Sequence, residues 1–108
     1  MKKFLVLYRS TVSTKDQMAD LTPESGKAEM DRWMAWGGKA GAALVDWGAP
    51  LGETAELNGT STGAHLSGYS IVQAESMATA KALMDGHPHY SAPGASITLV
   101  EIMPMPGA

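Results

Sequence analysis

Residues 3–8, Lys3-Phe4-Leu5-Val6-Leu7-Tyr8, form a compact run of apolar, aromatic and β-branched side chains that reads as a β-strand. Alternation along a strand puts Phe4, Val6 and Tyr8 on one face and Leu5 and Leu7 on the other. A sheet covered on one side only carries strands that alternate apolar with polar. This strand is apolar on both sides, so the fold has to supply two covers.

Downstream, residues 10–21 are polar and without periodicity, which predicts a long connecting loop, either a solvated crossover or a lid or binding segment. Thr22-Pro23-Glu24 marks a helix start: Thr22 can cap, Pro23 suits the first turn, and Glu24 favours the positive end of the dipole. The helix is expected to run to about Ala43, with Met30, Trp33, Met34, Gly37, Ala40, Gly41 and Leu44 on its inward stripe. Trp36 lies about 120° from Met30, off the centre of that stripe. The glycines suggest close approach of helix to sheet.

Residues 44–57 read as a second strand region broken by Gly48-Ala49-Pro50, hence an edge, a bulged strand or two short pieces. Residues 58–64, rich in Gly, Ser and Thr, predict a hairpin turn, and Asn58-Gly59-Thr60 is read as part of it rather than as a glycosylation site. Residues 65–73 give a third strand, with Tyr69 and Ile71 on one face and Leu66 and Val72 on the other. Ser76 caps a second helix to about Asp85, with Ala80, Leu83 and Met84 inward; Gly86 and Pro88 end it. Residues 95–103 are the last strand, with Ile97, Leu99, Glu101 and Met103 on one face and Val100 and Ile102 on the other.

The order β-α-β-β-α-β predicts an α+β, ferredoxin-like fold made of one domain spanning residues 1–108. Both helices of such a fold cover one face of the sheet. Leaving Leu5, Leu7 and one aliphatic of the last strand in water would forgo about 5–9 kcal/mol of burial. That rivals the whole stability of a small domain, about 5–15 kcal/mol. A homodimer, with a twofold partner's sheet on the open face, is the simplest cover.

Hydrophobic residues at 44% and charged residues at 18% are ordinary for a globular chain. The net charge of −3, with eight Lys and Arg scattered rather than clustered, argues against a nucleic-acid partner. Without cysteine there is no disulfide and no thiolate nucleophile. The apolar run after Met1-Lys2-Lys3 is too short for a signal peptide, and no run has transmembrane length, so a cytoplasmic protein with no membrane partner is expected. GxGxxG, P-loop, HExxH, GxSxG and CxxC patterns are missing, and no cofactor is expected.

The candidates for chemistry are few. His87 and His89 flank Pro88 and can relay a proton; with only His65 besides them, a metal site is not expected. They can equally satisfy backbone groups at the end of the second helix. Asp46, in Leu44-Val45-Asp46-Trp47, would become an acid or base if buried beside Trp47, and an ordinary edge carboxylate if exposed. Glu101 is a proton acceptor or ligand anchor if it faces the interior, and a solvated group at the rim otherwise. Tyr8 and Arg9 end the first strand, where Arg9 can hold a carboxylate or phosphate or pair with Glu101. Trp36 and Tyr69 are candidates to line an apolar pocket, while Trp33 reads as core.

Gly68-Tyr69-Ser70-Ile71-Val72-Gln73-Ala74-Glu75-Ser76, then Gly86-His87-Pro88-His89, then Ile97 to Gly107, together with Trp33-Met34-Ala35-Trp36 and Gly48-Ala49-Pro50-Leu51, resemble the YCII-related (DGPF-domain) family of small bacterial proteins. The resemblance spans nearly the whole chain. It implies a dimeric α/β barrel, members mostly of unassigned activity, and in some a His–Asp pair in a cleft. The family's Asp-Gly-Pro-Phe tetrapeptide is replaced here by Gly48-Ala49-Pro50-Leu51, and no His lies in the loop or first helix. A His–Asp mechanism therefore does not carry over residue by residue. The expectation is a dimer binding an unidentified small molecule between sheet and helix; if it is an enzyme, its chemistry is metal-free proton transfer of lyase, isomerase or hydrolytic type. The alternative is a noncatalytic interaction or regulatory module.

Overall fold

A computed structural model describes residues 1–59 and 65–107. Among these residues the chain forms strand β1 (Lys2–Ser10), helices α1 (Thr14–Ala19) and α2 (Pro23–Ala40), strands β2 (Leu44–Asp46) and β3 (His65–Ala74), helix α3 (Met77–Leu83) and strand β4 (Ser96–Ile102), with single 3-10 turns at Gly41–Ala43 and Pro88–Ser91. The strands make one sheet in the order β2-β3-β1-β4, antiparallel throughout, an order consistent with a ferredoxin-like α+β fold. β1 is central, paired along its length with β3 and β4.

The two faces of β1 separate as alternation requires. Phe4, Val6, Tyr8 and Ser10 are buried beneath the helices, while Leu5, Leu7 and Arg9 on the opposite face are half-exposed. On β3 the buried set is Gly68, Ser70, Val72 and Ala74. With Trp36, Ala80 and Met84 from above, and Trp33, Leu44, Met77, Leu83, Ile97 and Leu99 at the margin, these residues make the core. Full burial of Phe4, Val6 or Val72 stabilises by about 1.5–3 kcal/mol each.

The predicted starts hold for α2 and α3, whereas α2 stops at Ala40 and the chain reaches Ala43 as a 3-10 turn. Thr22 Oγ1 accepts from Ser25 N–H and Ser25 Oγ accepts from Thr22 N–H, a closed capping box with Pro23 at the first position. Ser76 Oγ accepts from Thr79 N–H, and Gly86 with φ 67° turns the chain out of α3. The second strand region is two short edge pieces: β2 itself and a bridge from Pro50 to Gly68. Gly48 joins them at φ 74°, its backbone so close to the Tyr69 carbonyl that a Cβ would overlap it. Residues 60–64 of the expected hairpin turn lie outside the described residues.

Two expectations need correction. Residues 10–21 are not all loop, because Ser13 Oγ accepts from Asp16 N–H and opens α1. That helix buries no side chain and is held by polar bonds, Thr14 Oγ1 donating to Ser67 O at 3.1 Å and Gln17 Nε2 to Val12 O at 2.7 Å. The stripe of α2 is also rotated. Met30 and Met34 are 59% and 57% exposed, and the face against the sheet is Trp33, Trp36, Gly37 and Ala40. Two indoles bury more apolar area than two thioethers, and Gly37 admits the Trp47 ring where any Cβ would collide with it.

Candidate functional site

Four of the residues singled out in the sequence meet in one buried cluster: Tyr8 from β1, Trp36 from α2, and His87 and His89 from the 3-10 turn after α3. The Tyr8 ring lies 5.2 Å from Trp33, 4.9 Å from His87 and 5.1 Å from His89, and Trp36 stacks at a tilt 4.3 Å from His87. The Trp36 indole N–H donates to Leu83 O at 2.8 Å, which ties α2 to the end of α3.

Backbone groups set the direction of every hydrogen bond through this cluster. His89 N–H donates to His87 Nδ1 at 3.0 Å, so the neutral His87 ring carries its proton on Nε2. Nε2–H donates to Tyr8 Oη at 3.1 Å. At the far end Ser70 Oγ–H donates to Trp47 O at 2.8 Å, which leaves Ser70 to accept from Tyr8 O–H, also at 2.8 Å. The string His89 N–H, His87, Tyr8, Ser70, Trp47 O thus runs one way, fixed at both ends by main chain. It joins the turn after α3 to β1, β3 and the edge segment after β2. His89 is anchored separately, its Nε2 donating to Arg9 O at 2.7 Å.

Burial shifts the acidities of this string away from neutrality. His87 falls from 6.5 to about 4 through desolvation first and the neighbouring His89 second. Tyr8 rises from 10.0 to about 12 through desolvation, opposed by its bond to Ser70. Both are therefore neutral near pH 7, and His87 Nδ1 is already occupied by a backbone donor. The imidazoles satisfy main chain at the 3-10 turn and on β1, through His89 N–H and Arg9 O, while the Leu83 carbonyl at the end of α3 accepts from Trp36.

The other candidates lie apart from it. Asp46 is exposed on the edge, Oδ1 accepting from Gly48 N–H at 2.8 Å and so shaping the turn. Glu101 is on the helix side of β4 but at its open end, where it pairs with Lys2 at 3.4 Å and not with Arg9. Arg9 and Tyr69 project from the helix-free face, opposite Tyr8. Ser70 and the Trp47 carbonyl were not singled out in the sequence. The available signal was a lone hydroxyl on a strand face otherwise made of Gly68, Val72 and Ala74.

Two grooves open to solvent indent the helix side. One, of about 400 Å³, lies between α3 and β4. The other, of about 330 Å³, lies between α2 and the turn after α3, with Arg32, Lys39 and Asp85 at its margin and the edge of Trp36 in its wall. Neither is lined by His87, His89, Asp46 or Glu101. Among the described residues no cluster of three His, Asp or Glu is placed to hold a metal ion, and no helix is long and apolar enough to cross a membrane.

No protein-family model matches the chain, and no curated protein matches it.

Proposed function

We propose that this chain is a homodimeric binding module, of the YCII-related type and cytoplasmic, whose two sheets pack face to face into an α/β barrel. The observation that carries the proposal is the helix-free face of the sheet. Across it Ile71, Leu5 and Val100 lie side by side on β3, β1 and β4, with Tyr69 and Leu7 in the next row and Ile102 beyond. Val100 and Ile102 are 43% and 42% exposed and the other four are half-buried in the single chain. The charges on this face of β1, Lys3 and Arg9, stand at the strand's two ends, and the exposed Asp46 of the edge strand β2 is registered beside Ile71, so the uncharged patch is confined to the middle of β3, β1 and β4.

Four strands about 4.8 Å apart and about seven residues long present roughly 450 Å² of flat layer. Side-chain relief brings two such faces into the range of the smaller stable interfaces, about 1,200 Å². Sedimentation velocity at micromolar concentration tests the pairing. A dimer is expected for the wild type and a monomer for Leu5→Lys. A wild type that sediments as a monomer removes the proposal.

Binding is favoured over catalysis because the proton-handling candidates are dispersed, and the buried ones are spent on main chain. One observation favours the second reading, a metal-free proton-transfer enzyme of lyase, isomerase or hydrolytic type: the two groups of displaced acidity, Tyr8 and His87, are neighbours. A metabolite thermal-shift screen on the wild type, His87→Ala and Asp46→Asn separates the two. Ligand shifts that vanish in both variants support the enzyme, and equal shifts in all three proteins support the module.

A further inference from the structure

We infer that the groove between α3 and β4 is a binding site for a small amphipathic monocarboxylate. Helix α3 presents Met77, Lys81 and Met84 at i, i+4 and i+7, one stripe turned toward the edge strand. Opposite them stand Ile97 and Leu99, the inward-facing residues of β4, and Tyr90 from the 3-10 turn closes the end. Met84 is buried and Met77, Ile97 and Leu99 are half-exposed, so the floor is hydrocarbon that neither helix covers. Two thioether side chains make such a floor adaptable to ligands of differing outline. The volume, about 400 Å³, falls in the range of small-ligand sites.

The polar groups at the rim decide the ligand's class. Lys81 and Tyr90 are both exposed. Among the described residues Lys81 makes no ion pair, and neither it nor the Tyr90 hydroxyl makes a hydrogen bond. No acidic side chain lines the groove. Lys81 and Tyr90, an ammonium and a phenol both able to donate, are thus the polar residues of an otherwise apolar lining. Their complement is a ligand with one carboxylate and a short aromatic or branched aliphatic body. A phosphate monoester of the same size would leave its second charge without a partner, and a neutral ligand would leave the ammonium unused.

The groove lies on the helix side of the sheet, so sheet-to-sheet pairing leaves it open. The inference stands whether or not the chain dimerises.

Titration of the full-length protein with 4-phenylbutyrate, followed by proton–carbon NMR of the methionine methyls and the Tyr90 ring, tests it. Saturable shifts confined to Met77, Met84 and Tyr90 are expected, with a dissociation constant of about 1 mM or tighter. Lys81→Gln, at an exposed and unpaired position, keeps the fold and should weaken binding about five- to tenfold, as should replacing the acid by 4-phenylbutanol. Absence of saturation up to about 10 mM overturns the site. Equal binding of the alcohol, or of the acid to Lys81→Gln, overturns the carboxylate assignment.

Discussion

Tyr8 is the middle link of the buried string, accepting from His87 and donating to Ser70. Tyr8→Phe keeps the ring and deletes the hydroxyl, leaving His87 Nε2–H buried without an acceptor. The loss should be about 1–3 kcal/mol in urea unfolding, whereas Tyr90→Phe, on the exposed side of the same turn, should change stability by less than about 0.5 kcal/mol. The same string makes stability depend on pH. His87 titrates at about 4 folded and 6.5 unfolded, so between those values the unfolded chain binds the extra proton. Its contribution is complete above pH 6.5 and is lost as the pH falls to about 4, by up to about 3 kcal/mol. Tyr8 acts at the other limb: its raised value means that stability is intact below pH 10 and declines from there to about 12. Unfolding midpoints measured across pH should therefore form a plateau, and the acid slope should vanish in His87→Gln even though that variant starts less stable. In the sequence the pair of histidines was visible as a candidate, but its state was not. What fixes the tautomer is a backbone N–H two residues on, and what fixes the far end is a carbonyl from another strand region. Neither carries a side-chain signature.

At the scale of elements, legibility followed burial. β1, β3 and α3 each bury a regular face, so spacing alone located them and oriented their buried side chains, though a register shift sets Leu66 of β3 opposite Arg9. α1 buries nothing, and a helix held by Ser13, Thr14 and Gln17 hydrogen bonds leaves no apolar period to read. The orientation of α2 depends on which apolar residues win the sheet side, and the side that wins is the one where Trp47, beyond the end of the helix, seats over Gly37. Adjacent glycines of α2 put this to the test. Gly38 has open space where a Cβ would stand, so Gly38→Ala should raise stability by about 1 kcal/mol through helix propensity alone. Gly37→Ala gains the same propensity but displaces the Trp47 ring, and should come out destabilised with a red-shifted tryptophan emission. Gly48→Ala meets both a positive φ and the Tyr69 carbonyl, and a loss of about 3 kcal/mol or more is expected by chemical denaturation. If Gly37→Ala proved as stabilising as Gly38→Ala, the proposed seat of Trp47 on the helix would be wrong.

The whole molecule is a sheet with one face closed and one open, and its stability should carry the mark of that asymmetry. The sequence already showed it, in a first strand apolar on both sides, because two-faced apolarity is a property of composition along a strand and needs no tertiary contact to be seen. What closes the open face is not written along the chain, since the same six side chains, Leu5, Leu7, Tyr69, Ile71, Val100 and Ile102, would suit any flat apolar cover. Pairing of two copies predicts a behaviour that a covering ligand does not: the folded state is then stabilised by mass action of the chain itself. Surface still exposed on each of these side chains is worth about 1 kcal/mol once removed from water. Association costs at least about 4 kcal/mol, so two opposed faces can bind at micromolar concentration but one misplaced charge at their centre is enough to stop them. The thermal midpoint of the wild type should accordingly rise with protein concentration, by a few degrees over a hundredfold range. Val100→Lys, exposed in the single chain and therefore harmless to its fold, should abolish that dependence and lower the midpoint to the dilute-limit value. A midpoint that stays constant from nanomolar to high micromolar concentration in the wild type, and is unchanged by Val100→Lys, would mean that the open face is content in water and that no second copy sits on it.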